Sequence, residues 1–182
     1  MKIFIDIGHP AHVHYLKNFI HIMKKKGHSF FVSSRNKEMA QYLLNKENID
    51  YVDRGKGKIT VAGKIFYMFK ADLFLLKNAL KFNPDIFLGF ASFYTAQVSF
   101  LLRKSSIILD DTENGKFQQF CYRPFANSIL SPSTFSKNFG KKHFKFNSYL
   151  ELAYLHPNYF KPDFNQLSAL NLKEGEKFTI CR

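Results

Sequence analysis

The sequence predicts an α/β protein, a parallel sheet with helices on both faces. Three observations predict it. Short β-branched and aromatic runs alternate with segments of helical spacing through the first 130 or so residues. The connections between them are short, as in chains that repeat a strand–helix unit. The composition, 182 residues with 46% apolar and 23% charged, is enough to bury a core.

Taken in order, residues 2–7 (KIFIDI) read as a first strand, broken by Gly8 to Pro10. Residues 11–26 carry Val13, Leu16, Phe19, Ile20 and Met23 at helical spacing and stop at Gly27, which suits a helix end. Residues 29–33 form a second strand, 37–46 a second helix and 50–52 a short third strand. The segment 54–60 (RGKGKIT) is a basic, glycine-containing loop, and 61–82 is a long helix. A fourth strand runs from Pro84 through Leu88, a helix over 93–102, a fifth strand over 106–109, a helix over 115–125 and a sixth strand over 128–130. Right-handed crossovers align the loops after each strand along one edge, where open α/β sheets bind ligands.

The remainder behaves differently. Residues 141–155 read as loop and short strand, and 156–162 (HPNYFKP) as a proline-bounded linker. A short helix over 166–172 and a new strand over 177–181 follow. The expected organisation is one domain over 1–155, a linker over 156–175, and over 176–182 the first strand of a second, missing C-terminal domain.

Charge and composition narrow the function classes. The chain has 27 Lys and Arg against 14 Asp and Glu, a net +13, with 22 Phe and no Trp. Such a charge invites an anionic partner: nucleic acid, a membrane surface or a phosphorylated substrate. Residue bias toward Lys, Asn, Phe and Ile explains it equally well. The aromatics fall inside apolar runs and read as core, not as exposed stacking platforms, so nucleic acid is disfavoured. Two distant cysteines, Cys121 and Cys181, build neither a disulfide framework nor a cysteine-rich zinc site. The start has no signal-peptide pattern, and 61–82 carries too many charges to span a bilayer, so a cytoplasmic protein is expected.

Two constellations carry chemistry. In the turn after the first strand, His9, His12 and His14 stand among Asp6, Gly8 and Pro10. A neutral imidazole there can take a proton from a sugar hydroxyl. The alternatives are helix capping by a histidine, or a metal site built from the three histidines and Asp6. After the fifth strand come Asp110, Asp111, Thr112, Glu113 and Asn114. Asp111 or Glu113 can orient a base, while Thr112 or Asn114 can cap the next helix. The loop at 54–60 lacks phosphate-loop spacing, but Lys56 and Lys58 can still meet a phosphate. The long helix after it sets Lys70, Lys77 and Lys81 near one face, as a helix lying on an anionic bilayer would, or as an ordinary sheet-packing helix does.

The opening Lys2-Ile3-x-Ile5-Asp6-Ile7, then Pro10-x-His12-Val13-His14, resembles an uncharacterised archaeal and bacterial family with a GT-B glycosyltransferase-like fold. Asp110 to Glu113, the turn Ser131-Pro132-Ser133, and Glu151-x-Ala153-Tyr154-Leu155-x-Pro157 agree with it along nearly the whole chain. More distantly the fold is similar to that of UDP-N-acetylglucosamine 2-epimerases and lipid-linked glycosyltransferases.

The resemblance implies a Rossmann-like N-terminal, acceptor-side domain of a two-domain enzyme of surface polysaccharide or glycolipid synthesis. It implies a UDP-sugar as donor, a sugar or lipid-linked acceptor, peripheral membrane contact, and no bound metal or other cofactor. His12 falls at the position of the acceptor's base, with Asp111 or Glu113 as its acidic partner. His9, Pro10, His14, Lys56, Lys58, Glu151 and Tyr154 are the expected substrate-binding residues. Gly8-His9 departs from the family's usual small polar residue and proline, so His9 carries the weakest assignment. Alone, this half is expected to be inactive. A nucleotide-sugar epimerase and a non-catalytic module for anionic polymer or membrane are the rival readings.

Overall fold

The computed structural model describes residues 1–36, 38–58, 60–173 and 175–179. Its elements are β1 (Lys2–Ile7), α1 (Pro10–Lys25), β2 (Ser29–Ser34), α2 (Glu38–Lys46), β3 (Val52–Asp53), α3 (Val61–Phe82), β4 (Ile86–Phe90), α4 (Phe93–Leu101), β5 (Ser105–Leu109), α5 (Lys116–Tyr122), β6 (Ser128–Pro132), β7 (His143–Phe146), α6 (Leu152–Leu155) and α7 (Asn165–Ala169). The strands form one parallel sheet in the order β3-β2-β1-β4-β5-β6-β7. The order reverses between β1 and β4, so the two ends of the chain's first half diverge there and leave a crevice at the carboxyl edge. This is the Rossmann-like parallel sheet the sequence predicts.

Strand alternation assigns β1 its two faces. Ile3, Ile5 and Ile7 point to one side and pack with Val13, Leu16 and Ile20 of α1 and Leu44 of α2. Phe4 points to the other and stacks between Phe31 and Phe87, at 4.7 and 5.0 Å between ring centres, under Leu75 and Ala79 of α3. Burying one such aromatic contributes roughly 1.5–3 kcal/mol. Asp6 shares the Phe4 face, beside Ser33 of β2 and Gly89 of β4. Gly89 is required there: a Cβ would fall 2.8 Å from Thr95 Oγ1 and 3.0 Å from Ser92 Cβ, so only glycine lets α4 close onto the sheet.

Several expectations shift at this level. α3 turns Tyr67, Ala71, Leu75 and Ala79 inward, which leaves Phe66, Phe69 and Leu73 on its outer face, each about two-thirds exposed. The reading of the phenylalanines as core therefore fails at Phe66 and Phe69, while Phe74 and Phe82 of the same helix do pack against the core, and it fails again at Phe117 and Phe120 of α5. α5 is shorter than 115–125. Its N-cap is Gly115, without a side-chain bond, rather than Thr112 or Asn114, and it stops two residues before Pro124, which has no N–H to continue the ladder. β4 begins at Ile86 rather than Pro84 and β6 runs on to Pro132, because β7 pairs with its last residues.

Beyond β7, Leu150 enters the core and α6 lies on α1, where Asn18 Nδ2 donates to the Ala153 carbonyl at 2.8 Å. Residues 156–173 are almost entirely exposed. Of the expected strand at 177–181, residues 177–179 carry no regular structure and 180–181 lie outside the described residues, as do Lys37 and Ile59 of the second helix and the basic loop.

Candidate functional site

The loops along the carboxyl edge divide by charge. Arg35 after β2 and Arg54, Lys56 and Lys58 after β3 make one half basic; Asp110, Asp111 and Glu113 after β5 and Glu151 after β7 make the other acidic, while the connection after β6 carries only lysines as charges. The basic half is organised by an ion pair. Arg54, the residue after β3, is 5% exposed, and its Nε donates to Asp6 Oδ1 at 2.8 Å; Asp6 is 2% exposed. Ser33 Oγ donates to the same carboxylate oxygen at 2.7 Å and Ser92 Oγ to the other at 3.3 Å. Arg54 Nη1 donates to Tyr67 Oη at 2.7 Å, and its guanidinium stacks 5.0 Å from the Tyr94 ring centre. Burial works against the Arg54 charge, but Asp6 and the two tyrosine hydroxyls outweigh it and hold its pKa above the ordinary value. Each charge is matched, and removing one partner from such a pair costs about 3–5 kcal/mol.

The ion pair floors a cavity of about 170 Å³ at the crevice between β1 and β4. It shares Arg35, Tyr67, Phe93 and Tyr94 with an adjoining cavity of about 470 Å³ walled by Ile65, Met68 and Phe117, so the two form one groove. Ala91, at the turn out of β4, is held at φ 42°, a left-handed conformation costly for alanine and typical of backbone constrained at a site. Sequence reasoning missed Arg54, Arg35, Tyr67 and Tyr94. One signal was available: an aspartate inside an apolar strand is tolerated only with a buried partner.

The histidines separate into different roles. His9 is the N-cap of α1, its Nδ1 accepting from Ala11 N at 3.2 Å, with Pro10 at the first helical position. His12 is half-buried, its ring stacked 4.8 Å from Phe90 at the crevice and its Nδ1 accepting from Gly8 N at 3.4 Å. His14 faces α6, 5.3 Å from the Tyr154 ring, and burial followed by Lys17 lowers its pKa. Tyr154 also meets Tyr15, so His14 and Tyr154 are joined in packing α6 onto α1. Among the described residues no three His, Cys, Asp or Glu side chains converge as a metal site.

The acidic half holds Asp111, Glu113 and Glu151 around a cavity of about 210 Å³. Burial, then the neighbouring Asp110 and Glu151 charges, raises the Asp111 pKa against the hydrogen bond it accepts from Thr112 Oγ1. Burial, then the Asp111 and Glu151 charges, push the Tyr15 hydroxyl up to about 12. Glu113 is tied down: its Oε1 accepts from Ser136 N at 2.8 Å, which lowers its pKa, and its carbonyl accepts from Lys137 Nζ. Asp110 is structural, 2% exposed, accepting from Thr112 N, Gln119 Nε2 and Tyr122 Oη. Of the loop lysines, Lys58 lines the larger cavity while Lys56 is exposed.

The family model described as "Protein of unknown function (DUF354)" matches residues 1–182. The chain belongs to the DUF354 family. No curated protein matches it. Solved structures do. The UDP-GlcNAc 2-epimerase of Neisseria meningitidis, bound to UDP-GlcNAc, aligns with TM-score 0.69 at 14% identity, over 94% of this chain and 52% of its own. An S. aureus MnaA–UDP structure gives 0.67 at 12%, over 93% and 51%. MurG of Acinetobacter baumannii gives 0.65 at 14%, over 79% and 45%. At these identities the likeness is one of fold, the GT-B arrangement. This DUF354 chain spans about half the length of the structures it matches. Among its described residues no helix is long and apolar enough to cross a membrane.

Proposed function

We propose that this chain is the acceptor-side half of a glycosyltransferase-like enzyme, with a UDP-sugar as donor and a sugar or lipid-linked acceptor, and that it is inactive without a nucleotide-binding half. The observation that carries the reading is His12 stacked on Phe90, a residue that lines the groove where the sheet order reverses, the position at which open α/β sheets bind ligands.

Transfer needs a base to take the acceptor's hydroxyl proton as its oxygen attacks the sugar's anomeric carbon. His12 is that base. With Nδ1 accepting from Gly8 N, the neutral ring carries its proton on Nε2 and donates there. Taking the acceptor's proton on Nε2 requires the tautomer with Nδ1 protonated, in which the 3.4 Å contact from Gly8 N is given up. Asp111 is the more available acidic partner, since Glu113 is held by Ser136. The loop at 54–60 and the apolar outer face of α3 form the acceptor side, toward a membrane in the lipid-linked case.

A second reading, epimerisation of a nucleotide sugar, draws on Asp111 and Glu151 in one cavity, a pair of carboxylates suited to moving a proton at a sugar carbon. One experiment separates them. UDP-sugars are incubated with this chain alone and with it fused to a C-terminal half of the fold, with and without acceptor. Transfer predicts UDP release only from the fusion and only with acceptor, lost in His12→Ala. Conversion of the UDP-sugar without acceptor selects epimerisation, and robust turnover by the chain alone overturns the half-enzyme reading. A folded His12→Ala fusion with full activity removes the base.

A further inference from the structure

In the basic half of the edge, Arg35 is a cation that the Asp6–Arg54 pair does not use. Arg35 follows β2, and its guanidinium makes no hydrogen bond or ion pair with any described residue; its Nε is buried without a partner. It is held by stacking, 5.8 Å from the Tyr67 ring centre. The neighbouring carboxylates are engaged elsewhere. Asp6 takes Arg54 and Ser33, and Asp53 accepts from Asn36 Nδ2 at 2.9 Å and from Gly55 N at 2.7 Å. Gly57 makes room for the guanidinium: a Cβ there would fall 1.9 Å from Arg35 Nη2. A buried donor left unpaired is costly, and an anionic acceptor recovers that loss with a charge-assisted bond.

From Arg35, which both cavities share, the groove changes character along the larger one. Lys58 adds a second cation at the same end. The walls then become apolar, with Ile65 and Met68 of α3 facing Phe93 and Phe117, and the outer face of α3 continues past the mouth with exposed Phe66 and Phe69. A free phosphate leaves these walls uncovered, and a neutral lipid leaves Arg35 unpaired.

We infer that this groove binds a phosphate or diphosphate ester of a long apolar chain, the phosphate on Arg35 and Lys58 and the chain along α3 between Met68 and Phe117. As an acceptor site it rests on the transfer reading; as a binding site it is tested without turnover. The two are distinguishable, because loss of UDP release with binding intact removes the reaction, and loss of binding with UDP release intact removes this site.

The test titrates the 182-residue chain with decyl phosphate, decanol, decanoate and inorganic phosphate, each below its micelle concentration. Decyl phosphate is expected to bind at least about tenfold tighter than any of the other three. Arg35→Gln should bring it down to the decanol level while circular dichroism stays unchanged, since that guanidinium makes no hydrogen bond or ion pair among the described residues. Gly57→Ala, which displaces the guanidinium, should weaken it in the same direction. Met68→Glu should abolish the advantage of the decyl chain over inorganic phosphate. Equal binding of decyl phosphate and decanol or decanoate, no binding of decyl phosphate, or an Arg35→Gln protein with parental affinity would each overturn the proposal.

Discussion

Asp72 stands on the inner side of α3 near the Asp6–Arg54 pair, and its Oδ1 is buried without a hydrogen bond. Burial, followed by the Asp6 charge, raises its pKa from 3.8 to about 7 despite Arg54. An acid whose folded pKa lies above its unfolded value binds its proton more tightly when folded. Its contribution to stability is therefore fully present below 3.8 and is lost as pH rises toward about 7. Asp72→Asn should remove that slope: relative to the parent, the variant should gain stability progressively over this window and hold a constant advantage above it. Urea melts across roughly pH 4–8 measure this, and the opposing slope from the lowered pKa values of His14 and His143 cancels in the difference. A parallel pH dependence in the two proteins would sink the idea. At this scale the sequence places His12, Asp111 and Glu113 on the ligand edge, because each follows a strand. It hides Arg54, whose role depends on Asp6, 48 residues earlier, and on Tyr67 of the next helix.

α4 shows how an element is tied to the site. Ser92 caps it, its Oγ accepting from Thr95 N at 3.3 Å and from Thr95 Oγ1 at 2.9 Å while donating to Asp6 Oδ2. Ser92→Ala should cost about 1–2 kcal/mol, the cap together with one bond to a buried carboxylate, read as a lower urea midpoint with unchanged slope. A loss within a few tenths of the parent would mean that the Ser92 hydroxyl ties α4 to nothing. The bounds of β1 and α3 were legible from local sequence, since Gly8 breaks the first, and Thr60 caps the start and Asn83 the end of the second. Those of β4 and β6 were not. Their last residues are strand because Phe90 pairs with Leu109, and Ser131 and Pro132 pair with Lys145 and Phe146, partners that local sequence does not announce.

For the whole molecule, the folded unit closes with α6 on α1 and Leu150 in the core, and almost all of the described chain after Leu155 is exposed. Exposed backbone with few buried contacts opens at low free energy. Trypsin should therefore cut first after Lys173 or Lys177, since Pro162 protects the bond after Lys161, and leave a resistant product containing 1–155, identified by mass spectrometry. Early cleavage after Lys17 or Lys46, within the sheet-packing helices, would contradict it. The +13 charge takes on a shape only here. Much of it is spread over exposed lysines, while the carboxyl edge gathers Arg35 and Arg54 at one cavity and Asp111, Glu113 and Glu151 at another.

The sequence by itself determined the α/β class, the run of strands and helices to β6, and the edge along which site residues lie. Periodicity and breakers act over a few residues, and chain order with right-handed crossover does the rest. Only the tertiary structure decided which residues meet there. It set β3 beside β2, brought Arg54 and Tyr67 under Asp6, left the Arg35 guanidinium without a hydrogen bond or ion pair among the described residues beside an apolar groove, and turned Phe66 and Phe69 of α3 outward. These outcomes depend on which faces pack and which charges find partners, quantities that belong to pairs of distant residues.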